Sequence, residues 1–227
     1  MEVAALVTGG SSGIGLAIAR ALREDGYALT LASRTPEKVE AAAAELGAHG
    51  VAADVSREED CERLVAAHRE RFGRLDVLVN SAGVGIAGRV EELPVKHIDR
   101  QLNINLRGLI LVTRAAVPLL RESGGLVVNI ASIAAHISPG VLPVYAASKA
   151  GVISFTRSLN ASLEADGVRA TAISPAFVDT PMASYSGLAP EAMIRPEDCA
   201  EVVRLLLRLS PRALIPEVVI ERLGADV

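Results

Sequence analysis

The chain reads as an α/β protein, a parallel sheet with helices packed on both faces. Two observations predict this. Short apolar runs alternate with longer helical patterns from end to end, and such alternation implies parallel crossovers. The filling is aliphatic: half of the 227 residues are hydrophobic, but only 3% are aromatic and Trp is absent. Ala, Val, Leu and Ile suit helices that lie close on a sheet. A chain of this length can bury one sizeable core, so one domain over 1–227 is expected.

Taken in order, strands are predicted at Val3–Thr8, Ala28–Ala32, Gly50–Ala53, Val77–Asn80, Leu126–Ile130, Ala170–Ile173 and Leu214–Ile220. Helices are predicted between them at about 13–25, 36–46, 57–72, 95–121, 146–165 and 196–209. Thr35-Pro36 places Pro at a first helical position. Ser56-Arg57-Glu58-Glu59 reads as a capping box, with Ser56 as the cap. Residues 183–195 lack periodicity and are rich in Ala, Ser, Gly and Pro; a mobile loop on the substrate side is expected there.

Composition excludes several classes. Net charge is −4 with acids and bases interleaved, so the basic footprint of a nucleic-acid binder is missing. No apolar run approaches the roughly 20 residues that span a bilayer. The N-terminus lacks a basic region and a cleavage site, so no secretory signal is read. His49, His68, His97 and His136 are scattered, and Cys61 and Cys199 stand alone, which argues against a metal site and for reduced, buried thiols. A cytoplasmic protein is expected.

Two motifs carry chemistry. Thr8-Gly9-Gly10-Ser11-Ser12-Gly13-Ile14-Gly15 follows the first strand and opens the first helix. Glycines there let the backbone turn tightly and approach a pyrophosphate, whose charge the helix N-terminus favours. Further on, Tyr145 and Lys149 stand one helical turn apart, with Ser132 upstream. A phenol ionises near pH ~10, and a neighbouring cation lowers that value, so the pair supplies a tuned proton donor.

With these motifs in this order, the chain resembles the short-chain dehydrogenase/reductases, in the single-domain branch with the Thr-Gly-x-x-x-Gly-x-Gly turn and the Tyr-x-x-x-Lys pair, from Val3 to about Pro211. The resemblance implies a doubly wound, seven-stranded Rossmann-like sheet and a nicotinamide dinucleotide cofactor. It implies that Tyr145 is the general acid in reduction and the base in oxidation. Lys149 would lower the tyrosine's pKa and bind the ribose hydroxyls. Ser132 would donate to the substrate oxygen, and Asn105 would complete a tetrad by holding a relay water on its main-chain carbonyl. Asn103 competes for that last role; Asn105 is preferred because Gly108 follows at Asn-x-x-Gly spacing.

The resemblance also implies cofactor contacts at Gly9, Ser11, Ser12, Gly13, Ile14 and Gly15. Asp54 and Val55 would meet the adenine, with the Asp54 carboxylate free because Ser56 caps the helix. Asn80, Ala82 and Gly83, in Asn-Ser-Ala-Gly, would border the adenosine ribose, and Pro175, Val178 and Thr180 the nicotinamide carboxamide. Ala176 stands where the family usually has Gly; should that position need positive φ, Ala would cost on the order of 1 kcal/mol. At the end of the second strand Ser33 replaces the acid expected for NAD and Arg34 follows. A guanidinium can hold a phosphate through two parallel bonds, so NADP is predicted in preference to NAD.

The predicted activity is hydride transfer between NADP(H) and a carbonyl or secondary alcohol. His136, Leu142, Phe177, Met182 and Tyr185 are the pocket candidates. Carrier-linked 3-oxoacyl groups, simple ketones, sugars and hydroxy amino acids all stay open. The short loop after Thr180 suggests an open site or one finished by a neighbouring subunit. By resemblance, a homodimer or homotetramer pairs through the long helices after the fourth and fifth strands. The non-enzyme alternative is an NAD(P)-binding sensor without turnover; such proteins often lose the tyrosine or lysine, and both are present here. An epimerase or dehydratase of the extended branch would need a further substrate domain.

Overall fold

The computed structural model describes residues 2–224, apart from the side chain of Tyr185. Seven strands form one parallel sheet: β1 (Ala4–Thr8), β2 (Ala28–Ser33), β3 (His49–Ala52), β4 (Val77–Asn80), β5 (Leu126–Ile130), β6 (Arg169–Pro175) and β7 (Glu217–Ile220). Their spatial order is β3-β2-β1-β4-β5-β6-β7. The order reverses between β1 and β4, the switch point at which such sheets open a crevice beyond their carboxyl ends.

Alternation along the strands divides the core. Ala5 and Val7 of β1, Leu29 and Leu31 of β2, and Val77 and Val79 of β4 pack on one face. Against them lie α1 (Gly13–Glu24), α2 (Pro36–Leu46) and α8 (Pro196–Arg208). Leu6, Leu78 and Val127 point the other way. They meet α3 (Glu58–Phe72), α5 (Leu109–Ser123) and α7 (Pro143–Leu163). The remaining helices are α4 (Val95–Leu102) and the one-turn α6 (Ala134–Ile137).

Several sequence expectations change. The helix expected over 95–121 is interrupted: a π-helical turn, Asn103–Gly108, joins α4 to α5. Gly108 is required there, since a Cβ would lie 2.6 Å from the Val55 carbonyl oxygen. Ser56 does not cap α3. Arg57 stands at the N-cap without a side-chain bond, while Ser56 donates its N–H and hydroxyl to Asp54 Oδ1. The seventh strand begins at Glu217 rather than Leu214, because Pro216 has no N–H for the ladder although its carbonyl accepts from Ala172 N. The segment 183–195, expected as a mobile loop, contains the end of a 3₁₀ turn at Pro181–Ser186 and a second at Pro190–Ala192, and Ile194 bridges back to Val178. Ala176 does not adopt positive φ, so it carries no strain; among the described non-glycine residues Ser138 alone does, at φ 47°.

Candidate active site

The carboxyl ends of β1, β4, β5 and β6 and the segments leaving them surround a cleft of about 370 Å³. Its floor is the glycine turn. Gly9 has φ +66°, and a Cβ there would lie 2.9 Å from Ala82 N. At Gly15 a Cβ would lie 2.4 Å from the Gly9 carbonyl oxygen, and at Gly13 it would press on Thr180 Cγ2 at 3.0 Å. These positions exclude side chains and keep the first-turn amides of α1 accessible to an anion. Thr8 Oγ1 accepts from Ser81 N and Ala82 N, fixing the exit of β4 against this turn.

Tyr145 and Lys149, on the first turns of α7, reach the cleft with Ser132 at the exit of β5. Lys149 is buried and its Nζ donates to the Ile130 carbonyl at 2.7 Å. Nζ lies 5.7 Å from the centroid of the Tyr145 ring. Desolvation pulls the lysine down from 10.5 to about 8. Ser132 Oγ accepts from Ala134 N at 3.1 Å, so its own proton remains for another acceptor. Gly83 lies beside both groups: a Cβ built there would stand in ordinary contact with Lys149 Nζ at 3.6 Å and Asn105 Oδ1 at 3.5 Å.

Asn105 is buried in the π turn, a form enriched at functional sites. Its amide copies a peptide group: Oδ1 accepts from Val84 N, Nδ2 donates to Val84 O, and Nδ2 also donates to Ser148 Oγ. Ser148 Oγ donates in turn to the Tyr145 carbonyl at 2.7 Å. Ser148 and the Ile130 carbonyl thus belong to the site although the sequence did not single them out. Ser148 is the serine immediately before Lys149, which is a signal that could have been read.

Of the other predicted residues, Gly9, Ser12, Gly13, Ile14, Ala82, Gly83, Pro175, Val178 and Thr180 line the cleft, as do Leu142, Phe177 and Met182. Ser33 and Arg34 stand at the end of β2, with Arg34 exposed and Ser33 Oγ donating to the Thr35 carbonyl. One oxygen of Asp54 is not free as expected, since Oδ1 accepts from Ser56 N and Oγ. Val55 is buried, and its carbonyl accepts from Cys61 Sγ. Asn80 does not line the cleft. Its Nδ2 donates to Thr113 Oγ1 and Asn129 Oδ1, tying β4 to β5 and α5, while its Oδ1 is buried without a partner among the described residues. His136 also turns away: its Nε2 meets Glu217 Oε1 on β7 at 2.7 Å. The side chain of Tyr185 lies outside the described residues. Among the described residues no cluster of three metal-ligating side chains forms, and no helix is long and apolar enough to cross a membrane.

Comparison with known proteins agrees with this geometry. The short chain dehydrogenase family model matches residues 3–190. An uncharacterized oxidoreductase of Staphylococcus epidermidis is 33% identical over 222 residues, 96% of each chain. One from Staphylococcus aureus is 33% identical over 220 residues, 95% of each. Among solved structures, an alcohol dehydrogenase of Thermococcus sibiricus complexed with 5-hydroxy-NADP superposes with TM-score 0.92 at 31% identity, covering 99% of this chain and 98% of that one. A 3-ketoacyl-(acyl-carrier-protein) reductase of Brucella melitensis complexed with NADH gives TM-score 0.89 at 29% identity, covering 96% of each. With a glycine turn, a buried lysine and its tyrosine on one cleft, the chain belongs to the short-chain dehydrogenases, NAD(P)-dependent oxidoreductases acting on CH–OH groups.

Proposed function

We propose that this enzyme interconverts a carbonyl compound and its secondary alcohol with NADP(H), using Tyr145 as acid and base. One observation carries the reading: Tyr145, Ser132 and the buried Lys149 converge on the cleft whose floor is the glycine turn. When bound, the nicotinamide supplies or accepts the hydride. Ser132 Oγ donates to the carbonyl oxygen and steadies the negative charge that develops there. Tyr145 passes its phenolic proton to that oxygen, completing the alcohol. Lys149, charged below about pH 8, lies close enough to the phenol to favour the phenolate left behind. Asn105 is a positioning residue: its amide fixes the loop after β4 and, through Ser148, the backbone of Tyr145. The π turn that carries it supports a relay water on its carbonyl, since such turns depart from the i→i−4 bonding of an α-helix.

NADP is the preferred cofactor in this reading. Arg34 is exposed at the end of β2 and makes no hydrogen bond or ion pair among the described residues, which suits a 2′-phosphate. The same reading makes the chain one cytoplasmic domain, paired with a second copy through α4–α5 and α7.

Tyr145→Phe is the decisive variant. It should bind NADPH within about threefold of wild type and lose at least a hundredfold in kcat on any carbonyl reduced, since general acid–base catalysis contributes about 10²–10⁴. Wild-type turnover by that variant would defeat the proposal. Arg34→Ala should lower kcat/KM for NADPH at least tenfold and leave NADH within about twofold; an equal loss for both would remove the NADP assignment.

A further inference from the structure

The cleft beyond the reacting groups has a composition that selects a substrate class. Lys149 is the one charged side chain among the described residues that line it, and its Nζ is directed to the Ile130 carbonyl. The remaining polar side chains of the lining, Ser12, Ser81, Ser132, Tyr145 and Thr180, all lie on the catalytic or cofactor-turn segments. The outer wall is apolar, built by Ile137, Val141 and Leu142 from the segment after β5 and by Phe177 and Met182 from the segment after β6.

Four of these five are exposed despite their size: Ile137 50%, Val141 60%, Phe177 40% and Met182 42%. Such exposure is unfavourable, and here it is gathered on two facing segments at one mouth. The first segment is held in place. Val141 O accepts from Gly88 N at 2.9 Å, Leu142 N donates to the Pro139 carbonyl, and Ser138 sits in the left-handed region. Arg89, next in sequence to Gly88, does not line the cleft and is in an ion pair with Glu91.

We propose that the substrates are neutral carbonyl compounds, or the corresponding alcohols, bearing an unbranched or aromatic apolar group of several carbons that lies along this wall. The inference rests on the reductase reading above and narrows it. A carboxylate or phosphate would meet no free cation on the wall, and a sugar would leave its hydroxyls without partners there. Apolar contact with the wall supplies the selectivity.

The test is a NADPH-dependent reduction series, propan-2-one to octan-2-one, together with 3-oxohexanoate and its ethyl ester. Each added methylene should raise kcat/KM about fourfold over at least three steps, the factor expected for burying a CH₂. The ester should exceed the acid at least tenfold, and Val141→Lys should shift that ratio toward the acid. Binding is followed separately, by NADPH fluorescence, in the Tyr145→Phe complex, where affinity should rise with chain length. A flat series, an acid reduced as well as its ester, or a tenfold preference for a carrier-protein-bound 3-oxoacyl group over the ethyl ester would overturn the substrate class while leaving the reductase standing. Chain-length-dependent binding without any turnover would keep the class and overturn the role of Tyr145. Neither binding nor turnover would overturn both.

Discussion

Lys149 shows how a single side chain can work against the fold that houses it. Its position on α7 places an ammonium where little water reaches it, donating to the Ile130 carbonyl. The folded pKa of about 8 lies below the 10.5 of a solvated lysine, so the charged form is penalised in the folded state. The penalty is fully present below pH 8 and is relieved as pH rises toward 10.5, because there the unfolded chain holds the proton that the folded one has released. Without cofactor, the stability of wild type relative to Lys149→Met should therefore rise between pH 8 and 10, by on the order of 2 kcal/mol. Urea denaturation of both proteins across that range reads it out, and parallel curves would show a solvated lysine. The Tyr145–Lys149 pair was legible in the sequence because a four-residue spacing on a helix is local geometry. The Ile130 carbonyl was not, since it lies on β5, 19 positions away across the fold.

At the scale of elements, His68 joins α3 to the sheet. It is fully buried, with Nδ1 against Thr30 Oγ1 of β2 at 2.8 Å and Nε2 against the Arg74 carbonyl at 2.9 Å. A carbonyl can only accept, so Nε2 carries the proton and Nδ1 accepts from Thr30. Burial pulls this imidazole down from 6.5 to about 4. Below pH 6.5 the unfolded chain takes up a proton that the folded one refuses, so stability falls as pH drops toward 4. From pH 7 to 5, wild type should lose about 2 kcal/mol relative to His68→Gln, measured by denaturant titration; an equal loss in both would show that His68 contributes none of it. Elements whose boundaries depend on local pattern were readable: β4, β5 and α2 fall where the sequence placed them. The π turn inside the long helix was not, because what demands it is the approach of Gly108 to Val55 across the fold.

Over the whole molecule, the last strand is tied to the active-site wall. Glu217 of β7, nearly buried, accepts from Ser174 Oγ, meets His136 on α6 and pairs with Arg157 on α7. The segment that follows α6 carries Val141 and Leu142 into the cleft. Glu217→Leu should leave Ser174 without its acceptor and lower stability on the order of 2 kcal/mol. It should also raise KM for an apolar ketone more than it lowers kcat, because it loosens the wall and leaves Tyr145 in place. Steady-state kinetics with a thermal melt check this; unchanged KM would separate β7 from the wall.

What the residues specified unaided was the local chemistry: the alternating elements, the glycine turn between a strand and a helix, and the tyrosine one turn before its lysine. These depend on neighbours within a few positions, where backbone geometry leaves few choices. What waited for folding was the choice of partner. Asn80 and His136 carry groups suited to a ligand, yet each bonds across dozens of positions, to Asn129 and Glu217. Asp54 shows the same contest at short range, its carboxylate bound to Ser56 two residues on. A polar side chain bonds whichever complementary group the packed chain brings within reach, and over long separations no spacing rule in the sequence encodes which one that is.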